Sequence, residues 1–378
     1  MMAAMTLFIF ILLGSSSLLH CLEENGASNT TSMFVFGDSL VDNGNNIFFA
    51  GSTAKANYPP YGVDFGFPTG RFNNDKTVAD VLGQLLGVPN LLPCFTNPST
   101  KGRMILSGVN YASGSSGILD STNFSEEVIP FNQQIRNFEA RTLPELRSLL
   151  GKDLSSYLSR SIFAINTGGN DYVWGCFFRA ACYLPEFTEE LLGRFTQQLK
   201  WLYGLGARKF ALLSIQVSGC TPLARSTTTD GSCNETYNLA SMQFNIRLNA
   251  SIDTLTRDMP GSHVVFANSY KIMSEMIHSP ADYGLTVVDK PCCAVSSAQC
   301  KKNGSVCEDR NTYLFFDDGH PTNAANLILA RRIFLSDSKS DVYPFNVKQL
   351  ADLSPDSSGA GLSSEAPKMD MINELSVE

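Results

Sequence analysis

Imidazole is scarce in this chain: four histidines in 378 residues leave few candidates for general-base chemistry. Charged residues are also few, 17% against 43% hydrophobic, which excludes wholesale disorder and allows a large core. Long runs of Lys or Arg are absent, the net charge is -8 and the pI is near 5.1, so nucleic acid is excluded as the partner. Beyond the N-terminus no apolar run approaches the roughly 20 residues needed to cross a bilayer, so no stable membrane span is expected. Cys292, Cys293, Cys300 and Cys307 lack paired C-x2-C knuckles and have no His among them, so neither metal nor cofactor is expected.

The apolar segment at residues 6–19 is short for a span and reads as a secretory signal, with a signal anchor as the alternative because the basic n-region is missing. The expected division is a signal peptide over residues 1–21, with cleavage as late as 27, a folded unit over 32–351, and a disordered tail over 352–378 rich in Ser, Asp, Glu and Gly. Ten cysteines fit export. If Cys21 leaves with the signal, nine remain and at least one thiol is unpaired within the chain. Spacing pairs Cys176 with Cys182 and Cys220 with Cys233, and makes two bridges among the other four. Sequons at Asn29, Asn123, Asn234, Asn249 and Asn303 are glycosylation candidates on that route, with Asn249 lying off its helix's apolar stripe. Subunit number is not legible in the sequence.

Five short apolar runs end in polar or glycine-rich turns: Met33 to Phe36, Gly108 to Ala112, Ser161 to Asn166, Lys209 to Ile215, and His263 to Asn268. Amphipathic stretches separate them, the alternation of an α/β parallel sheet with helices on both faces. Thr188 to Tyr203 carries Leu191, Phe195, Leu199 and Leu202 on one face. Glu235 to Met259 does the same with Phe244, Leu248, Ile252 and Leu255, and a further helix is expected from Pro321 to about Phe334. In such folds functional groups gather beyond the carboxyl ends of the strands. Ser39 follows the first run, Gly114 the second and Asn170 the third, so all three converge on one sheet edge.

Ser39 stands in Gly37-Asp38-Ser39-Leu40, a turn directly after a buried run, where a nucleophile belongs. A serine hydroxyl needs a base, and the base an orienting partner. His20 lies in the presumed signal, His263 opens a buried run and His278 ends a helical stretch, which leaves His320. Asp317, three residues earlier, orients it; Asp318 competes for that role or caps the next helix. The Ser39 and Gly114 N–H groups and the Asn170 side-chain amide are the expected oxyanion donors. Asp38 and Asp171 read as structural.

In this order the blocks resemble the GDSL esterases and lipases of the SGNH hydrolase superfamily, in particular the plant secreted branch. The resemblance runs from about Ser32 to Leu350. It rests on Gly37 through Asn46, Pro68-Thr69-Gly70-Arg71-Phe72, Gly108 through Gly114, Gly168 through Tyr172, Gly219-Cys220-Thr221-Pro222-Leu223 and His320-Pro321-Thr322. It implies a flavodoxin-like three-layer α/β/α sandwich with five parallel strands, Ser39, His320 and Asp317 as a triad, and Gly114 and Asn170 as oxyanion donors. It also implies a small-molecule or lipid ester as substrate and secretion to the cell wall or apoplast. Ser115-Ser116-Gly117 departs from the family's usual Gly-Ala-Gly and leaves Gly117 as an alternative donor. The same acyl-enzyme serves an acyltransferase, and a non-catalytic binding protein is the remaining alternative. Tyr58, Tyr61, Phe65, Phe67 and Phe72 either line an acyl pocket or cover the sheet.

Overall fold

Neighbouring residues of each apolar run pack on opposite sides of one sheet, and this alternation sets the layers. In a computed structural model that describes residues 32–123, 126–177 and 182–354, β1 (Met33–Gly37), β2 (Ile162–Asn166), β3 (Lys209–Leu213) and β4 (His263–Ala267) run parallel in that order. Met33, Val35, Ala164, Ala211 and Leu213 face a layer that includes α1 (Val78–Leu85). Phe34, Phe36, Phe163, Phe210 and Leu212 face the opposite layer, with α2 (Phe131–Asn137), α3 (Leu184–Gly204) and α4 (Glu235–Asp258). The first layer is completed by α5 (Ser269–His278) and α6 (Asn323–Leu335). The apolar stripes expected on α3 and α4 are buried.

The sheet has five strands, but one expectation about it is corrected. Its fifth member is β5 (Val342–Tyr343), antiparallel to β4. The run at Gly108 to Ala112 instead lies along the free edge of β1, joined by a single parallel bridge between Val35 and Asn110. The ladder is interrupted where the Gly37 N–H goes to Gln134 Oε1, although the Ser113 N–H still donates to Gly37 O; on the side away from β1, Asn45 Nδ2 donates to the carbonyls of Asn110 and Ala112. From β1 the chain thus visits one flank at residue 110 and then crosses to β2 on the other. That reversal opens a crevice at the carboxyl end of β1, where Ser39 follows.

The last helix starts at Asn323 rather than Pro321, because Thr322 acts as its N-cap and accepts from the Ala325 N–H. Disulfides join Cys176 to Cys182, Cys220 to Cys233, Cys292 to Cys307 and Cys293 to Cys300, so the group with a superficial look of a zinc cluster is cross-linked. Among the described residues Cys94 is the free thiol. No helix of the described residues is long and apolar enough to cross a membrane. Of the sequons, Asn303 is exposed, Asn123, Asn234 and Asn249 are half-buried, and Asn29 lies outside the described residues, as do the expected signal and all but the first three residues of the tail. The Asn249 Oδ1 is shut off from solvent, less open than its place off the stripe suggested.

Candidate active site

The turn after β1 is held by its own backbone and by one carboxyl. Asp38 N–H donates to Asn166 O on β2, while the Asp38 side chain accepts from the Leu40 N–H at 3.1 Å. Ser39 therefore sits at the crevice with its hydroxyl 2.8 Å from His320 Nε2. The other ring nitrogen, Nδ1, lies 2.8 Å from Asp317 Oδ1 and 2.9 Å from Oδ2. Asp317 is fully buried and also accepts from the N–H groups of Gly319 and His320, which curl the Asp-x-x-His turn around it. Asp318 holds no such place; its carbonyl accepts from the Leu223 N–H.

Two aromatic residues that the sequence left without a partner support this turn. The Tyr61 hydroxyl donates to Asp317 Oδ2 at 2.7 Å and accepts from the Cys300 N–H. The Phe72 ring stacks on the His320 imidazole, with centroids 5.0 Å apart and planes 28° apart. The aromatic stretch therefore neither simply covers the sheet nor simply lines a pocket: part of it braces the histidine and its carboxylate. Only the Pro-Thr-Gly-Arg-Phe block hinted at this. Arg71 forms a buried bidentate ion pair with Asp80 of α1, fixing the base of the loop that carries Phe72.

Burial opposes the charged form of His320, but the Asp317 carboxylate and, behind it, Asp38 outweigh burial and hold the imidazolium above its usual range. Burial pushes the Asp38 carboxyl up to about 7, with only the Leu40 N–H and the His320 charge pulling it back.

The expected donor at Gly114 is corrected. Its single N–H proton is directed at Asp42 Oδ2, 2.9 Å away, and its carbonyl accepts from Asn46 Nδ2. A Cβ at this position would lie 2.8 Å from the Phe72 ring, so the glycine serves to let that ring in. Gly117 is pressed against Asp171, and neither glycine lines the cleft. Ser115, between them, does line it, with φ of 64° and no protein acceptor for its N–H among the described residues. The Ser39 N–H is likewise open. Asn170 borders the cleft too; one amide proton goes to Ser116 O, leaving the second available. Asp171 accepts from the N–H groups of Ile118 and Leu119 and from the Thr122 hydroxyl, tying the Ser115 loop to the Asn170 loop.

These groups open on a cleft of about 690 Å³. The model of GDSL-like lipases and acylhydrolases matches residues 33–333, from the start of β1 into the last turn of α6. The chain belongs to this family. Among curated relatives, GDSL esterase/lipase At1g29670 of Arabidopsis thaliana is 41% identical over 334 residues, covering 85% of this chain and 91% of the relative. GDSL esterase/lipase At4g16230 of the same plant is 40% identical over 337 residues, 85% and 90% of the two chains. GDSL esterase/lipase At5g45670, also from Arabidopsis, is 37% identical over 368 residues, 93% of this chain and the whole of the relative. In this GDSL chain the namesake motif is Gly37 to Leu40, and the serine within it is the one facing His320.

Proposed function

We propose that this GDSL family member hydrolyses carboxylic esters through an acyl-Ser39 intermediate. The observation that carries the reading is the continuous relay from Ser39 Oγ through His320 to buried Asp317. Ser39 attacks the ester carbonyl as its proton passes to His320 Nε2, and Asp317 stabilises the imidazolium that forms. The carbonyl oxygen, now negative, is met by the Ser39 and Ser115 N–H groups and the free proton of Asn170 Nδ2. His320 then protonates the departing alcohol, and water, deprotonated by the same ring, releases the acid. The names of the Arabidopsis relatives, esterase/lipase, agree with this chemistry.

Secretion belongs to the same reading: removal of a signal over residues 1–21 with cleavage as late as 27, an oxidising compartment for the four disulfides, and glycans at the sequon asparagines, first of all exposed Asn303. A fluorophosphonate probe tests the catalytic part. Labelling of Ser39 that is lost in Ser39→Ala and slowed in His320→Ala, together with release of free acid from a simple ester, supports it. Folded protein that resists the probe refutes it, and a product dominated by a new ester when an alcohol is added makes the protein a transferase.

A further inference from the structure

A closed circuit of bonds ties the triad carboxylate to a disulfide outside the catalytic turn. Asp317 comes shortly after the strand Tyr313–Phe315, and the carbonyls of Phe315 and Phe316 accept from the N–H groups of Cys292 and Cys293. From Cys293 a disulfide crosses to Cys300. The Cys300 N–H donates to the Tyr61 hydroxyl at 3.0 Å, and that hydroxyl donates to Asp317 Oδ2 at 2.7 Å. The circuit thus leaves the main chain at Phe316 and returns to the side chain of the next residue. Its members are packed as well as bonded: Tyr61, Phe72, Phe316, Cys292, Cys293 and Cys300 belong to one small buried core, separate from the two larger ones on the faces of the sheet.

Cys300 ends a hairpin that pairs Val295–Ser296 with Gln299–Cys300. Its root is held from a second side, where the Tyr58 hydroxyl lies 3.1 Å from both Cys300 O and Gln299 Oε1. At the tip Ser297 and Ala298 have left-handed backbone, with φ of 54° and 66°, and they join Glu126, Gln299 and Leu223 in lining the cleft. Such a backbone at two successive residues with side chains persists only where the surroundings impose it. The hairpin is therefore one clipped piece that touches the cleft at its tip and the catalytic carboxylate, through Tyr61, at its root.

Resting on the acyl-Ser39 reading, we infer that the Cys293–Cys300 disulfide is a positioning element for the catalytic base: by fixing the Cys300 N–H it aims the Tyr61 hydroxyl at Asp317 and so steadies the relay to Ser39. A phenolic hydroxyl can turn about its C–O bond. With the Cys300 N–H bonded to its oxygen, its own proton is left for Asp317, and a hydroxyl that accepts one hydrogen bond donates a stronger one. The other bridge in the same core, Cys292–Cys307, has no such part. Neither of its residues bonds Tyr61 or Asp317, and the Cys307 N–H already holds Cys292 O. The titratable groups facing His320 and its carboxylate are Asp38, Asp317, Asp318, Tyr58 and Tyr61. Among the described residues, Tyr61 is the one side chain besides His320 hydrogen-bonded to the Asp317 carboxylate.

The test is a rate–pH profile on p-nitrophenyl acetate, with melting curves, for the full chain carrying Cys293→Ala and Cys300→Ala together. The peptide N–H at position 300 remains but is no longer held. A weaker bond from Tyr61 leaves the Asp317 carboxylate less stabilised and favours the imidazolium, so the midpoint of the rising kcat/KM limb should move upward by about 0.5 pH units, a loss of about threefold at a fixed pH on that limb. A hairpin that only walls the cleft would change KM and leave the midpoint in place. Cys292→Ala with Cys307→Ala should lower the melting temperature without moving the midpoint. In a Tyr61→Phe background, removal of Cys293–Cys300 should move it no further, because the two changes act through one bond. An unmoved midpoint in the folded variant, an equal movement in the Cys292 and Cys307 pair, or a displacement that adds in full to that of Tyr61→Phe overturns the inference and leaves ester hydrolysis standing. If the variant does not fold, Tyr58→Phe, which keeps both bridges and releases Cys300 O, is put through the same two comparisons, and an unmoved midpoint there overturns the inference equally. A parent protein inert toward the ester and toward the fluorophosphonate removes the acyl-Ser39 reading itself.

Discussion

Tyr61→Phe removes one hydrogen bond from the Asp317 carboxylate while leaving the ring in place. In the folded chain the Tyr61 hydroxyl donates to Asp317 Oδ2 at 2.7 Å, and both side chains are buried. A hydrogen bond to a buried charged group contributes about 1.5–3 kcal/mol. Without it the carboxylate is less well stabilised, and protonating His320 recovers part of that loss; if half is recovered, the imidazolium gains about 1 kcal/mol, or about 0.7 pKa units. The rising limb of kcat/KM against pH, already displaced above the ordinary imidazole value by Asp317, should move upward by roughly that amount, because only neutral His320 can accept the Ser39 proton. The Cys300 N–H also loses its acceptor, so the variant should melt at a lower temperature. Asp38→Asn is the counter-perturbation: it removes a negative charge that favours the imidazolium, and its limb should move downward. Rate–pH profiles on a soluble ester, with melting curves alongside, decide the matter. Midpoints that shift in the same direction in both variants, or a Tyr61→Phe midpoint at or below that of the parent, refute the electrostatic account.

Three further outcomes are expected. Asn170→Ala should lower kcat about 100- to 1,000-fold with little change in KM, as for loss of one oxyanion donor; an effect confined to KM contradicts the assignment. Gly114→Ala should drive the Phe72 ring off His320, since the new Cβ would meet it at 2.8 Å; activity falls in a protein whose other packing persists, and Phe72→Leu in the same chain should restore part of it. Stability should decline as pH rises from about 4 to about 7. Asp38, held near 7, and Asp42 and Asp171, each held near 6 by burial, keep protons in the folded chain that the unfolded chain has released, and His320 acts in the same sense above its ordinary value. His263, lowered by burial, opposes them alone among the histidines with a resolved shift, while the ion-paired Asp80 and Asp341 act below this window. Melting temperatures across that range should fall, less steeply in Asp38→Asn; a rise contradicts the burial argument.

What was legible in the sequence was the part governed by local rules. Ser39 could be found because an apolar run ended one turn before it, and His320 because only one histidine stood at Asp-x-x-His spacing. Asn170 could be placed by its position after the next strand. Gly114 was misread because its N–H is claimed by Asp42, 72 residues away, and no local pattern reports such a contact. Tyr61 and Asp317 meet across 256 residues for the same reason. β5, two residues long, is too short for any periodicity to show. The run at Gly108 to Ala112 had the composition of a strand, yet the Gly37 N–H that would lengthen its pairing with β1 is taken by Gln134 Oε1, 97 residues away.

Buried Asp42 and Asp171 have a further consequence. Each gathers three donors and ties its own loop to another, Asp42 to Gly114 and Asp171 to the segment from Ile118 to Thr122, so the floor beneath the reacting atoms is cross-braced by buried carboxyls rather than by the side chains of the rim. Residues such as Leu223, Glu126 and Gln299 contribute nothing to that bracing. Wall and floor can therefore vary separately, and a lineage or a mutant library can wander through ester preferences by single replacements at the rim without disassembling the machinery that cleaves the bond.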